Sequence, residues 1–247
     1  MAFPQVESYS SAEDASKTTS HVITFPAGLV ADDLIVGCVV MGYDSTAVYN
    51  FGTGGNSPNI NVIQYTYNVP NDWNVLAFIY ARAIGGVGND YITLTTPISL
   101  VARWQLYRIS HHDVSVFVQS KMPNAQDDGG SPAYTTPACP TTPGSALDWL
   151  WLSFFGLHGG FTTVGVPTGF TDKIEDNITG DVDEQVALAS ARREYNTTQL
   201  PADAWTCSLT NKSWNMLMVG ISPGALGTGG SSGGVGMYFP YRVVSIT

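Results

Sequence analysis

Short apolar runs of strand length, each closed by a turn signal, recur from one end of this chain to the other. They occupy residues 21–25, 33–40, 61–67, 73–83, 91–94 and 101–109, and they stop at Gly, Pro, Asn or Asp. Runs of this length, rich in Val, Ile, Tyr and Phe and often alternating with polar residues, are the mark of strands. Composition supports the same reading. Only 12 % of the residues are charged, against 26 glycines and 14 prolines in 247 residues. Helical surfaces draw on Glu, Lys, Arg and Gln, and this chain carries little of that stock. An all-β fold is therefore expected, and a helix bundle or coiled coil is excluded.

The strand pattern also repeats. Asp33-Leu34-Ile35-Val36 resembles Asp148-Trp149-Leu150-Trp151, and Phe78-Ile79-Tyr80-Ala81-Arg82 resembles Leu188-Ala189-Ser190-Ala191-Arg192. Tyr91-Ile92-Thr93-Leu94-Thr95 resembles Trp205-Thr206-Cys207-Ser208-Leu209, and residues 101–109 resemble 214–221. The members of each pair lie about 110 to 115 residues apart and keep their order, which is how an internal duplication reads. Each half alone has about five strands and one apolar face to hide. Two interlocked halves sharing one core predict a single antiparallel jelly-roll β-sandwich. It spans residues 22–223, between an N-terminal arm (1–21) and a Gly-rich linker with a strand-like tail (224–247).

Residues 181–193 contain good helix formers, and Asp181 with Glu184 imitates a capping box. The repeat predicts a strand instead, with Val186, Leu188 and Ser190 on one face and three alanines on the other. Cys38 and Cys207 sit in apolar runs and are expected as buried free thiols, and the odd cysteine total of three suits a reducing compartment. Trp104, Trp149, Trp151 and Trp214 are expected in the core.

Ten basic against twenty acidic residues give a formal charge of −10. Nucleic-acid binding needs Lys and Arg against phosphates, so no nucleic-acid partner is expected, and anionic membranes are disfavoured on the same ground. The longest apolar runs fall short of a bilayer span, and the N-terminus lacks a basic and apolar leader pattern. His111-His112-Asp113 follows a strand, and adjacent strand residues point to opposite faces, so the pair does not chelate without a bend. The acids Asp172, Glu175, Asp176, Asp181, Asp183 and Glu184 lack the loop that gathers oxygens around calcium and read as a solvated hairpin. Asp181 and Asp183 are the only alternating acid pair, and no nucleophile elbow or phosphate loop is present. The expectation is a non-enzyme with no metal and no cofactor. Tyr43 and Trp73 lie near loops and are the candidates for stacking on a glycan.

Pro26-Ala27-Gly28 leading into Asp33-Leu34-Ile35-Val36 resembles the opening of many bacteriophage virion proteins. Val164-Gly165-Val166-Pro167-Thr168-Gly169-Phe170 and Met218-Val219-Gly220-Ile221-Ser222-Pro223 carry the same likeness. Over residues 22–223 the chain is similar to the concanavalin/lectin-like jelly rolls of phage heads and tails, without counterparts of the lectin calcium and sugar ligands. The resemblance implies synthesis in the host cytoplasm and residence in the virion. It implies a capsid decoration or cement protein, a homotrimer on the major capsid protein, that clamps neighbouring subunits through its terminal segments. The contact residues would be Met237, Tyr238, Phe239, Tyr241, Val243 and Ile246 of the tail. The alternative is a tail or fibre protein that binds a host-surface glycan.

Overall fold

A computed structural model describes residues 3–42, 50–54, 59–67, 74–83, 91–121, 133–135, 147–158, 164–177, 185–197, 203–207 and 214–224. Every regular element among them is a strand: β1 (Gln5–Thr24), β2 (Leu34–Gly42), β3 (Asn50–Gly54), β4 (Asn59–Tyr67), β5 (Asn74–Arg82), β6 (Tyr91–Ser110) and β7 (His112–Lys121) in the first part of the chain. They are followed by β8 (Ala133–Thr135), β9 (Leu147–His158), β10 (Val164–Gly165), β11 (Thr171–Asn177), β12 (Val186–Thr197), β13 (Ala204–Cys207) and β14 (Trp214–Pro223).

All ladders are antiparallel. One sheet runs β1-β6-β2-β5-β4 and the other β7-β14-β9-β12-β11. The two orders are the same when β7 is matched to β1, β9 to β2, β11 to β4, β12 to β5 and β14 to β6. Small outer layers match as well. The start of β6 pairs with both β3 and the end of β1, and β13 pairs with both β10 and β8. The duplicated order read from the sequence is thus the order of the fold.

The sheets stack face to face as a sandwich. Strands β6 and β2 lie over β12, β2 and β5 over β9, and β5 over β14. Laid out this way, each half's first edge strand meets the other half's opposite edge, which is a pseudo-twofold arrangement about β2 and β9. Between the sheets, Leu34, Val36, Cys38 and Val40 of β2 and Phe78 and Tyr80 of β5 pack on Leu150, Leu152 and Phe154 of β9 and Leu217, Val219 and Ile221 of β14. Gly156 sits at this interface, where an added Cβ would lie 3.2 Å from both Leu76 and Val40.

Three expectations need correction. Each half closes its own sheet, since β6 returns between β1 and β2 and β14 returns between β7 and β9. The halves therefore join by packing and are not interlocked. Residues 5–21 are no free arm: they belong to β1, paired with β6 along its length. Their small polar side chains suit an edge strand with one wet side. Finally, aligning Asp33 with Asp148 sets Leu34 on Trp149, yet Leu34 faces between the sheets and Trp149 faces outward. On the ladders Leu34 lies opposite Ile109 and Leu150 opposite Ile221, and both face between the sheets, so the repeat read from the sequence is out of phase by an odd number of residues. A slip of one residue exchanges the two faces of a strand, and similarity of apolar residues does not detect it.

Within the stretch of helical propensity, residues 186–193 belong to β12, and its faces divide as the repeat predicts. Val186 and Leu188 face the core between the sheets, while Ala187, Ala189 and Ala191 face outward beneath a tryptophan-rich layer. Cys38 and Cys207 are buried free thiols. Trp104, Trp149, Trp151 and Trp214 are all buried.

Candidate functional site

Three described regions gather polar or exposed groups. The first is buried between the halves, at the side where β1 and β6 meet β11 and β12. Tyr107 donates its hydroxyl proton to Ser190 Oγ at 2.6 Å, and Ser190 donates to Gln105 Oε1 at 2.5 Å. Gln105 Nε2 donates to Asp176 Oδ2 at 2.6 Å and to the Leu188 carbonyl at 3.1 Å. Ser11 also donates to Asp176. Arg103 reaches Glu13 with one nitrogen and Asp176 Oδ1, at 3.4 Å, with another.

The order of donors explains the chemistry. Burial pushes the Tyr107 phenol far above its ordinary value, so Tyr107 stays protonated and begins the chain. Each link passes a donor toward the Asp176 carboxylate, where the charge is matched by Arg103. Burial lowers the Arg103 pKa, and Asp176 opposes that shift. Ser190 faces an amide and a phenol, neither of which is a base, so its hydroxyl is not activated for attack. The network works as a polar lock between β6 of one half and β11 and β12 of the other. Satisfied buried networks of this kind fix one packing register.

The second region is the end of the sandwich where the halves are linked. His111, with φ of 54°, turns the chain from β6 into β7. His112 Nε2 lies 2.9 Å from the Asp32 carbonyl, and its Nδ1 lies 2.9 Å from that of Asp113. Asp33 accepts from Arg108 Nε at 2.5 Å and from the Val30 amide at 2.8 Å, and Arg82 pairs with Asp32 at 2.8 Å. Gly28 in the preceding turn has φ of 77°, in the left-handed region that glycine occupies without strain. The Gly224 amide closes this region by donating to the His111 carbonyl at 2.9 Å. Gly224, the last described residue, therefore lies beside the start of β1, where Gln5 pairs with Ser110.

The third region is the free side of β1. This 20-residue strand ends its sheet, and nothing among the described residues pairs with its other side. Tyr9 is 56 % exposed and Val22 51 % exposed, and Val30 in the adjacent loop is 53 % exposed. Only Tyr195, 41 % exposed, joins them as a large exposed apolar side chain among the described residues. Tyr195 has one ring face covered by Arg193, whose guanidinium lies 4.1 Å from the ring centre.

The structure does not bring the sequence-derived candidates together. Met237, Tyr238, Phe239, Tyr241, Val243, Ile246, Tyr43 and Trp73 all lie outside the described residues, as do Asp181, Asp183 and Glu184. The remaining acids are dispersed along β11. Asp172 pairs with Arg192 at 2.6 Å, which holds its carboxyl below the usual range. Glu175 pairs with Lys173 at 2.6 Å, and both hold the backbone of Val164. Among the described residues no three His, Cys, Asp or Glu side chains gather in a metal-binding group. Sequence reasoning missed the Asp14–His21 contact of 3.1 Å, because a corner in β1 brings the two together. It also missed the polar lock, whose only sequence signal was a set of polar residues within apolar strands. No family model matches the chain, and no curated protein or solved structure matches it either.

Proposed function

We propose that this chain is a non-enzymatic structural protein of a phage virion, a decoration or cement protein that sits on the major capsid protein and joins neighbouring subunits through its terminal segments. The observation that carries the reading is the free side of β1, a 20-residue edge with exposed Tyr9 and Val22. Free edges of this length recruit further strands, and single-chain proteins usually shorten, charge or cover them. The rest of the sandwich suits a stiff block, with three apolar layers and a polar lock between its halves. The acidic surface discourages random association of copies and leaves binding to specific contacts. A trimer on the capsid and residence in the virion are part of the same proposal.

The deciding experiment mixes purified protein with particles that lack it and measures occupancy by sedimentation. Full-length protein is expected to saturate the particles, and a version ending at Gly224 is expected to bind at least tenfold more weakly. Equal occupancy of both versions overturns the clamp. A glycan array probed with the intact protein addresses the other reading: selective binding to one glycan class, with no particle binding, would replace decoration by host recognition.

A further inference from the structure

We infer that the free side of β1 is the docking site for residues 237–247 of a second copy of this chain, which adds there as an extra antiparallel strand. The inference rests on the assembly reading above and names the surface that receives the tail.

Four observations meet at this edge. First, β1 is the longest edge strand described, and its part before the corner carries the exposed Tyr9. An added strand supplies backbone partners along the edge and covers alternate side chains. Second, the sequence Met-Tyr-Phe-Pro-Tyr-Arg-Val-Val-Ser-Ile-Thr at 237–247 is β-branched and aromatic, which suits a strand and lies outside the described residues. Its Pro240 cannot donate to a ladder, so the segment fits an outermost strand and not a central one. Third, the charges are complementary. In the first leg of β1, before the corner that begins at Asp14, Glu13 is already matched by Arg103 and Asp14 contacts His21, so the complement is between Glu7, which accepts from the Ser110 hydroxyl, and Arg242 of residues 237–247, which carry no acid. Fourth, the described chain ends at Gly224, held to His111 beside the start of β1.

The last point also favours a second copy over the chain's own edge. Every ladder here is antiparallel, so a strand added to β1 is expected to run against it. The chain's own tail would have to begin pairing at the far end of the first leg and return toward Gln5. An eleven-residue strand covers roughly 37 Å at about 3.4 Å per residue. The Gly-rich spacer at 225–236 has a mean span of only about 19 Å and would need nearly full extension. A neighbouring copy removes that restriction, because its exit point can face the far end of the edge. Exchange of identical elements between copies gives closed assemblies without new folds.

Light scattering of the full chain is expected to give two or more times 26.4 kDa, and a version ending at Gly224 is expected to give a single copy. A trapping experiment identifies the surfaces. The version ending at Gly224 carries Tyr9→Cys, the full chain carries Val243→Cys, and both carry Cys139→Ser. After mild oxidation the mixture should yield a disulfide-linked pair that neither protein forms alone. A full chain that is a single copy, a truncated chain that keeps the higher mass, or a single chain carrying both cysteines that closes on itself at high dilution would each overturn the inference. Assembly without binding to particles would instead remove the virion reading and leave the β1 docking site standing.

Discussion

The two halves share one strand order but cover their outer faces by different means. In the first half, β1 and β6 are each continuous for 20 residues and turn a corner over their own sheet. The corner coincides with register shifts between Asp14 and Ser20, opposite Pro97, where a ladder donor is missing. Ile23, Ile92 and Leu94 of the corner then rest on Ile35, Val39 and Ile79, in a mainly aliphatic layer. In the second half the matching strands are separate pieces, β7 with β8 and β13 with β14. Their layer is built from Trp149, Trp151, Phe155, Phe170, Trp205 and Trp214. Space for the indoles comes from the β12 alanines and from Gly220, where an added Cβ would lie 2.7 Å from the Trp151 ring. The comparison teaches that one topology tolerates two solutions. A continuous strand carries a thin aliphatic cover, while separate short strands depend on the larger area that each aromatic side chain buries.

The largest test of that contrast is Trp205→Ala. Trp205 is fully buried, stacks 5.9 Å from Phe155 and donates to Ser153 at 2.8 Å. Its loss should cost about 3–5 kcal/mol in urea unfolding. Ile23→Ala in the continuous cover should cost about 2–4 kcal/mol, and a larger loss at Ile23 than at Trp205 would break the comparison.

The polar lock is a second difference, since the described side chains of β14 at the related place are apolar. Its β6 residues Gln105 and Tyr107 face a half whose matching strand β14 presents Leu217, Val219 and Ile221. Gln105→Leu removes the acceptor of the Ser190 hydroxyl and one donor each to Asp176 and the Leu188 carbonyl, and should cost about 1–3 kcal/mol. In a double-mutant cycle, Ser190→Ala should add less than its separate cost, and full additivity would show that the chain of donors is not coupled.

Overpacking probes the tryptophan layer more gently. Gly220→Ala presses on Trp151 and should lower the free energy of unfolding by about 1–2 kcal/mol, and Trp151→Phe in the same chain should recover part of it.

The smallest expected effect belongs to the corner. His21 is fully buried, lies 3.1 Å from Asp14, and its Nε2 has no partner among the described residues. Burial lowers its pKa below 6.5, and Asp14 offsets part of that shift. The unfolded chain therefore takes up the proton first, so His21 favours the fold above about pH 6.5 and this stability is lost as pH falls toward its folded value. Hydrogen exchange of residues 20–24 and 91–95 should quicken on acidification in the native chain and change less in His21→Leu. Equal acceleration in both would assign the effect elsewhere.

Much of the fold was legible in local sequence. The strand runs at 33–40 and 101–109, the β assignment within 181–193 and the faces of Val186 and Ala187 all follow from alternation and recurrence. The corner in β6 had a local sign in Pro97, but whether 91–94 and 101–109 form one strand or two depends on β1 following the same turn. The phase of the repeat was illegible for a related reason. Leu34 and Trp149 are both apolar and both buried, because each sheet is covered on both faces. Alternation fades in a strand buried on two sides, and it is alternation that marks the face.

The sequence alone determined an all-β chain with two halves of the same element order, since period, turn residues and scarcity of charge act over a few residues at a time. Only the tertiary structure decided that each half keeps its own sheet, that residues 5–24 form an edge strand, and that Tyr107, Ser190, Gln105 and Asp176 meet. Those outcomes depend on which strand packs over which. That choice is made by the complementarity of whole faces, and a single run of residues does not contain it.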